Sequence, residues 1–273
     1  METDILLFGT MGDIGRTVRG SLERHGLTVA EVPFPQNVLR DASGYRRELL
    51  NALKCISPSM ILPIGCQTAL ARCRMDIPEG IAVPVGNEKT IMMLDSKTGC
   101  SSLASSLGIR QPQIFEAIPD DSRFPLVFKR DVSFGGQGVH IPKSRAALEN
   151  LISHQRAGEP YLIEEFIEGE DFSVDALRWN GYFRAECYHT VSRHGNGPSL
   201  ERTATGYPEL VDIARRMLDA AEYDGVCGFD FRVDPSGRAY FLECNPRFTG
   251  GLSTSIASGF DIPYILWELA RGR

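Results

Sequence analysis

The sequence lacks the cysteine and histidine patterns that indicate zinc sites or disulfide frameworks. Its seven cysteines are odd in number and include no Cys-x-x-Cys pair, so we expect reduced thiols that are mostly buried as small apolar side chains. The five histidines are scattered along the 273 residues, whereas a zinc ion needs clustered ligands. These patterns argue against a structural zinc site.

A run of basic residues and a long apolar run are also missing. The net charge is -6 with no arginine-rich arm, so nucleic acid is not the expected partner. The most apolar segment, residues 59–73, is interrupted by Pro63, Gly65 and Gln67 and falls short of the roughly 20 residues of a membrane span. The first four residues are acidic where a secretory signal would be basic. Together these absences predict a cytoplasmic protein that binds neither nucleic acid nor membranes.

Short apolar runs alternate with helical patterns over the first third of the chain. The runs at residues 5–8, 28–32 and 59–63 are typical of buried strands, and a glycine-rich turn leads into a helix that reaches about His25. A second helical pattern covers residues 45–56. This alternation predicts an α/β domain with a parallel sheet covered on both faces, ending near residues 84–89.

The spacing of the first glycines argues against a dinucleotide-binding dehydrogenase. Gly9, Gly12 and Gly15 are spaced G-x-x-G-x-x-G, whereas the dinucleotide-binding fingerprint is G-x-G-x-x-G followed by an acidic residue. Glu31 could supply that acidic residue, but the signal for a nicotinamide-dependent dehydrogenase is weak.

The remaining residues have an antiparallel pattern. We expect a hairpin that turns at Asn180-Gly181, a helix capped by Ser144, and a helix with Pro208 in its first turn. Further elements are predicted as a helix at 97–107 and strands at 124–130, 139–141 and 161–166. Residues 190–205 contain Arg193, His194 and Arg202 among glycines and a proline, and this pattern indicates a polar loop that closes over a substrate. One of these arginines could pair with an amino-acid carboxylate, although an exposed arginine on a loop is more often only solvated.

The most informative stretch is residues 226–247, which read as a β-hairpin turned at Pro235-Ser236. With that turn Asp230 faces Phe241, and Glu243 is a diagonal neighbour on the same sheet face. Asn245 follows on that face. Oxygen ligands of this kind suit magnesium or manganese, although a solvated acidic face explains the pattern equally well at this point. The expected core side carries Phe229, Phe231, Tyr240 and Leu242.

Residues 241–251, Phe-Leu-Glu-Cys-Asn-Pro-Arg-Phe-Thr-Gly-Gly, resemble the metal-binding signature of the ATP-grasp superfamily, in the branch with biotin carboxylase and the carbamoyl phosphate synthetase large chain. The resemblance implies that Asp230, Glu243 and Asn245 hold two Mg²⁺ ions, or Mn²⁺, that bridge the ATP phosphates. It also implies that Arg247 lies beside the transferring phosphoryl group.

Other motifs in family order extend the resemblance over residues 95–251. Lys97 and Lys129 are similar to the two phosphate-binding lysines, and Lys129 shares the catalytic charge-neutralising role with Arg247. The glycine-rich lid over the phosphates would comprise Ser133, Gly135, Gly136, Gln137 and Gly138. The adenine and ribose contacts would comprise Glu164, Glu165, Phe166, Ile167 and Asp171.

The implied fold is an α/β, Rossmann-like N-terminal domain (residues 1–90) that precedes an α+β ATP-grasp domain (residues 91–273) with two antiparallel subdomains and a lid at about 123–164. The implied activity is ATP-dependent conversion of a carboxylate to an acyl phosphate that an amine attacks, in a cleft that the N-terminal loops near residues 9–16, 64–68 and 85–89 also face. The alternatives are a bicarbonate-activating or thioester-forming enzyme and a non-catalytic nucleotide-binding subunit. The implied partners are small carboxylates and amines, and a homodimer is compatible with the resemblance.

Overall fold

The computed structural model describes residues 2–9, 12–33, 42–133, 136, 138–156, 158–193 and 199–272. Three residues of the predicted sites, Gly135, Gln137 and His194, lie outside these ranges. In the described part of the chain, no helix is both long and apolar enough to cross a membrane.

The N-terminal part is a three-stranded parallel sheet, as predicted, with strand order β2-β1-β3. Its elements are β1 (Glu2–Gly9), α1 (Asp13–Arg24), β2 (Val29–Pro33), α2 (Ala42–Cys55), β3 (Ser57–Ile64) and α3 (Gln67–Arg72). Successive side chains of a strand point to opposite faces. Leu6 and Phe8 therefore join one core cluster, and Ile5 and Leu7 join the other, which explains why the second half of β1, from Ile5 to Phe8, is apolar without alternation.

Two helices connect this sheet to a small four-stranded antiparallel sheet of order β4-β7-β5-β6. The elements are α4 (Glu88–Asp95), α5 (Lys97–Ser106), β4 (Ile114–Phe115), β5 (Leu126–Arg130), β6 (Val139–His140), α6 (Arg145–Ser153) and β7 (Tyr161–Glu165). The Ser144 hydroxyl accepts a hydrogen bond from the Ala147 amide and caps α6, as predicted. Leu148 of α6 packs on Leu126, Phe128 and Ile163 to form a separate small core.

The third sheet has five antiparallel strands in the order β10-β9-β8-β11-β12. Its strands and the remaining helices are β8 (Glu170–Trp179), β9 (Tyr182–Arg193), β10 (Ser199–Thr205), α7 (Pro208–Ala220), β11 (Gly225–Val233), β12 (Ala239–Asn245), α8 (Leu252–Ala257) and α9 (Ile262–Ala270). The sequence pattern did not reveal α8 and α9. The signal in α9 was Asp261 before the helix and Pro263 in its first turn.

The prediction of a polar loop over residues 190–205 is wrong for residues 190–193 and 199–205, whereas residues 194–198 lie outside the described part of the chain. Strand β9 continues to Arg193, and Ser199–Thr205 forms the edge strand β10 that pairs with it. Charged and polar residues are common on an edge strand because only one of its two edges has a partner strand. Polarity alone therefore did not distinguish a loop from this strand.

The predicted register of the 226–247 hairpin also needs correction. Phe231 faces Phe241, and a β-bulge between Asp230 and Phe231 puts Glu243, rather than Phe241, directly opposite Asp230. A bulge sets two residues of one strand against one residue of the other. Consequently Phe241 is buried with Phe229 and Phe231, whereas Tyr240 and Leu242 are only half-buried.

Both large core clusters contain side chains from the N-terminal sheet and from the third sheet. One joins Leu6 and Phe8 to Phe229 and Phe241. The other joins β1 and β3 to side chains of β8, β11 and the C-terminal helices, namely Leu177, Val226, Phe248, Leu252 and Trp267. The parallel sheet is therefore packed into the rest of the protein on both of its faces.

Candidate active site

A cavity of about 480 Å³ lies between the two antiparallel sheets. The small sheet contributes Val127, Lys129 and Glu164, and the five-stranded sheet contributes side chains from β8, β11 and β12. Ligand sites are commonly concave and located where structural units meet. Most of the residues predicted from the sequence surround this one space.

The five-stranded sheet arranges its polar side chains in rows that run across the strands. Ser173, Asp230 and Glu243 are cross-strand partners in one row, and Asp175, Gly228 and Asn245 are partners in the next. Residues two apart on a strand share a face, so both rows line the cavity. The bulge completes the first row because it aligns Glu243 with Asp230.

Asp230, Glu243 and Asn245 form the predicted metal-binding set, and the structure brings all three together. Nδ2 of Asn245 lies 3.5 Å from Oδ2 of Asp230. Among the described residues, no group of three or more His, Cys, Asp or Glu side chains is arranged to hold a metal ion. A cation here would depend on the Asn245 amide oxygen in addition to the two carboxylates. An oxygen-only set of this kind fits Mg²⁺ or Mn²⁺.

Lys97 is buried and pairs with the central carboxylate of this set. Its Nζ lies 3.1 Å from Oε2 of Glu243 and donates to the Ser133 hydroxyl at 3.1 Å. Burial by itself would raise the pKa of Glu243, but the charges of Lys97 and Lys129 outweigh it and hold that pKa below its ordinary value. Glu243 is therefore ionised at neutral pH, as a metal ligand must be.

Lys129 projects from β5 and connects the two antiparallel sheets. Its Nζ lies 2.7 Å from Oε2 of Glu164 on β7 and donates to the Leu242 carbonyl of β12 at 3.3 Å. Burial opposes the charged form of Lys129, yet Glu164 and Glu243 together raise its pKa. Glu164, predicted as part of the adenine hinge, lines the cavity, and its side chain is the buried ion-pair partner of Lys129.

Arg247 is held from two sides next to the metal-binding set. Its Nη1 lies 2.6 Å from Oδ1 of Asp95 at the end of α4, and its Nη2 donates to Oδ1 of Asn245. Sequence reasoning missed Asp95, because no local pattern connects residues that are 152 positions apart. The guanidinium thus stands beside the oxygens predicted to bind metal.

Part of the cavity lining is apolar, and we call it the apolar end. It combines residues from the segment after β7 with aliphatic side chains of β5, β6, β12 and the residue after β6, namely Val127, Val139, Ile141, Phe166, Ile167 and Leu242. Glu165 also lines the cavity. Asp171, the predicted ribose contact, lies 3.1 Å from Nε of Arg232, a cavity residue that the sequence analysis did not identify.

Only part of the predicted phosphate lid falls within the described residues. Gly136 lines the cavity, Gly138 has φ of 80°, and Ser133 contacts Lys97. Gly135 and Gln137 lie outside the described residues. The predicted lid therefore starts next to Lys97.

The N-terminal part reaches the site at two points. Ile14 of α1 lines the main cavity. Gln67 and Val85 border a small second cavity together with Arg247. These positions lie in the three loop segments that were expected to face the cleft.

A buried polar cluster beside the metal-binding set was not predicted. Arg202 of β10 pairs with Asp175 of β8 at 2.7 Å, and each side chain is only 4% exposed. The sequence analysis had put Arg202 on a solvent-exposed loop. The pair could not be found from sequence because it joins two strands that are not neighbours in the sheet.

Comparison with known proteins agrees with this geometry. A family model described as "ATP-grasp in the biosynthetic pathway with Ter operon" matches residues 157–273. The carbamoyl phosphate synthase large chain of Clavibacter michiganensis subsp. michiganensis is 27% identical over 248 residues, which cover 79% of this chain and 22% of that protein. The chain thus spans about a fifth of the length of this relative.

Two solved structures have the same fold over nearly the whole chain. The biotin carboxylase–β,γ-ATP complex from Campylobacter jejuni matches with a TM-score of 0.81 at 15% identity, covering 99% of this chain and 71% of that chain. The L-amino acid ligase from Bacillus licheniformis matches with a TM-score of 0.74 at 17% identity, covering 99% of this chain and 75% of that chain. The family match thus places an ATP-grasp domain in residues 157–273, and the two solved structures show that the fold is shared over nearly the whole chain.

Proposed function

We propose that this protein is an ATP-dependent ligase that converts a carboxylate to an acyl phosphate and joins it to an amine, with release of ADP and phosphate. The observation that carries the proposal is the convergence of three cations, Lys97, Lys129 and Arg247, on the oxygen set of Asp230, Glu243 and Asn245. Phosphoryl transfer needs this combination because charge develops on the transferring group and must be neutralised by positioned cations.

The nucleotide would lie along the cavity with its base at the apolar end. Phe166 and Ile167 line that end, and Asp171, oriented by Arg232, is placed to accept from a ribose hydroxyl. Lys129 stands between the apolar end and the metal-binding set, where it would meet the phosphates. The biotin carboxylase–β,γ-ATP complex, which has the same fold, supports this use of the cavity.

Bound Mg²⁺ ions would supply Lewis-acid charge to the phosphate oxygens, held by Asp230, Glu243 and Asn245. Lys97 contacts both Glu243 and Ser133, so it would connect the metal-binding set to the start of the lid. Arg247, oriented by Asp95, would balance charge on the transferring phosphoryl group. No nucleophilic side chain is required for these roles.

The proposed reaction has two balanced steps. A carboxylate oxygen of the substrate attacks the γ-phosphorus, the bond to the β,γ-bridging oxygen breaks, and ADP leaves with the electron pair. The amine nitrogen then attacks the carbonyl carbon of the acyl phosphate, inorganic phosphate leaves, and the nitrogen loses a proton. The enclosed cavity between the sheets would shield the acyl phosphate from water between these steps.

The test is to incubate the protein with ATP, Mg²⁺ and hydroxylamine together with a panel of amino acids and small carboxylates. Hydroxylamine is a small nucleophile that converts an acyl phosphate to a stable hydroxamate. We expect at least one acid to give ADP release and hydroxamate together, and reactions without the acid give the background. Replacing Mg²⁺ with Mn²⁺ in a productive reaction tests whether Mn²⁺ also supports turnover.

Two other outcomes would contradict the proposed reaction. If a productive acid releases ADP without hydroxamate, and oxygen-18 from its carboxylate never appears in phosphate, the acyl phosphate step is wrong. ADP release that depends on bicarbonate alone would instead favour a bicarbonate-activating enzyme, a reading motivated by the similarity to the carbamoyl phosphate synthase large chain.

A further inference from the structure

Arg202 is held firmly by its surroundings in the wall of the cavity. Its Nη1 donates to the Ser173 hydroxyl at 2.8 Å, and its Nη2 lies 2.7 Å from Oδ2 of Asp175. The guanidinium carbon lies 4.3 Å from the centre of the Tyr188 ring. Contacts of these three kinds fix the plane of a guanidinium, so its remaining donors have defined directions.

Asp175 is fully engaged in positioning this arginine. Besides Arg202, it accepts hydrogen bonds from the Thr249 hydroxyl at 3.0 Å and the Ser255 hydroxyl at 2.6 Å. A buried carboxylate without partners would cost several kcal/mol. Three donors satisfy this one, which is the arrangement expected for an anchor rather than for a group that binds a ligand.

One donor of the anchored guanidinium lacks a partner. Nε of Arg202 is buried and makes no hydrogen bond, although buried N–H groups in proteins are nearly always paired. Arg202 itself lines the cavity. A ligand oxygen in the cavity would satisfy this donor.

The backbone of Gly251 lies directly against the guanidinium of Arg202. A Cβ built on Gly251 would lie 1.9 Å from the guanidinium carbon, so only glycine permits this approach. Gly250 and Gly251 both line the cavity with Arg202. The wall here is made of backbone and one planar cation.

This wall is adjacent to the metal-binding set. Ser173 and Asp175, which hold Arg202, are the cross-strand neighbours of Asp230 and Gly228, and neighbouring strands are about 4.8 Å apart. A small molecule that contacts Arg202 would therefore reach the place where the γ-phosphoryl group is transferred. The apolar end of the cavity, where the adenine is expected, is formed by other residues.

We propose that Arg202 determines the substrate class, with Nε donating a hydrogen bond to an oxygen of a carboxylate bound between the Gly250-Gly251 segment and the metal-binding set. The proposal rests on the proposed function, since it assigns the site of its first substrate. Nη1 donates to Ser173, and Nη2 donates to Asp175 and to the Gly251 carbonyl, so Nε–H is the donor left for a single charge-assisted hydrogen bond to a ligand carboxylate. The neutral amide of the same acid would lose the charge-assisted part of this interaction.

Kinetics of Arg202→Lys test the assignment without leaving Asp175 unpaired. Lysine keeps the positive charge but has no Nε–H donor. We expect the KM of the productive carboxylate to rise by about ten- to a hundredfold, the usual effect of losing a hydrogen bond to a charged group, with the KM of ATP changed by less than about twofold. Arg184→Lys is the matched control, because Arg184 pairs with Glu186 on β9 and is absent from the cavity lining.

A binding measurement separates this proposal from the ligase proposal. In full-length protein carrying ¹⁵N-labelled arginine, the Nε–H signal of Arg202 is assigned by its loss in Arg202→Lys. It should shift on addition of acetate or glycine, or of the productive acid, and not with acetamide or glycinamide. A shift without any turnover would support the carboxylate site and count against the ligase.

Two results would overturn the role of Arg202. One is turnover with an acid that leaves the Nε–H signal unmoved, and the other is an Arg202→Lys variant whose carboxylate KM stays within about twofold of wild type. An equal rise in the KM of ATP and of the carboxylate would also count against it, because that pattern indicates general damage to the cavity.

Discussion

The charged side chains of the candidate site are paired with one another in the structure. Lys97 contacts Glu243 and Lys129 contacts Glu164, and both lysines are buried. Removing one member of a buried ion pair leaves an uncompensated charge and costs about 3–5 kcal/mol. Loss of function on mutating these residues therefore has to be separated from loss of folding.

The first prediction concerns Lys129→Met, which we expect to weaken ATP binding and also to destabilise the fold because Glu164 loses its partner. Burial raises the pKa of Glu164, so that carboxyl would take up a proton when the lysine is absent. The double variant Lys129→Met/Glu164→Gln removes the orphaned charge. It should recover most of the melting temperature while ATP binding, measured by calorimetry, stays weak.

The double variant is also the control for this interpretation. If it restored ATP affinity together with stability, Lys129 would have only a structural role. Equal ATP affinity of the single variant and wild type would contradict a phosphate contact outright.

The second prediction concerns Glu243→Gln, which keeps the shape of the side chain and removes its charge. Because Glu243 is the predicted metal ligand with a lowered pKa, we expect ADP release to fall by at least about a hundredfold, as the loss of several kcal/mol of charge stabilisation implies. The variant leaves the buried Lys97 without its carboxylate partner, so we expect a lower melting temperature, and circular dichroism should still report the folded state at the assay temperature.

A matched control lies on the same hairpin. Asp234→Asn makes the same chemical change at the turn, where Asp234 bonds Ser236 and Arg238 outside the cavity lining. Its ADP release should stay near the wild-type rate. Undiminished ADP release by Glu243→Gln would contradict the assignment of Glu243 as a metal ligand.

At the scale of the elements, the β-bulge and one glycine determine how the hairpin presents its polar side chains. Gly228 lies between Asp175 and Asn245 in its row. A Cβ built there would lie 2.2 Å from Cγ2 of Thr249. The segment after β12 can cross the sheet at this point because Gly228 has no side chain, and this crossing brings the Thr249 hydroxyl to Asp175.

The third prediction follows from that crossing. Gly228→Ala should destabilise the protein by about 1–3 kcal/mol, the usual cost of overpacking, and should lower turnover because it displaces Thr249. Gly228→Ala/Thr249→Ser removes the clashing methyl group and keeps the hydroxyl, so stability should largely return. Denaturant unfolding measures both effects.

Gly206→Ala is the control for the Gly228 series, since a Cβ there meets no atom within 4 Å. It should leave stability nearly unchanged. A double variant no more stable than Gly228→Ala would mean that Thr249 is not the obstacle.

At the scale of the whole molecule, the parallel sheet shares its cores with the rest of the protein. Trp267 of α9 is 3% exposed and belongs to the same cluster as Ile5, Leu7 and Met60. Phe8 belongs to the other large cluster together with Phe229. Separating residues 1–90 from residues 91–273 would expose apolar side chains on both sides.

The fourth prediction is that the fragment 91–273 does not fold cooperatively. Loss of β1 and β3 should expose Trp267 to water, shift tryptophan emission to longer wavelength and broaden or abolish the thermal transition, because the burial that stabilises this part is removed. The full chain is the reference. A fragment with a sharp transition and the emission maximum of the full chain would establish that residues 91–273 are an independent folding unit.

Many of the local elements and the resemblance to ATP-grasp proteins follow from the sequence by itself. The run Ile5–Phe8, the capping serine of α6 and the Asn180-Gly181 turn each correspond to an element found in the structure, because propensity, capping and turn chemistry act over a few residues. The motif at residues 241–251, with the other motifs in family order, likewise indicated the ATP-grasp resemblance, and most of the residues predicted for the site line the cavity.

The tertiary structure decided the contacts that give the site its geometry. The bulge that aligns Glu243 with Asp230 depends on how β12 packs between sheet and core, and the Arg247–Asp95 pair joins residues 152 positions apart. Arg202 looked like a solvated loop residue until β10 paired with β9 and turned its side chain towards Asp175. Such pairings are set by the packing of distant segments, and no local pattern in the chain encodes them.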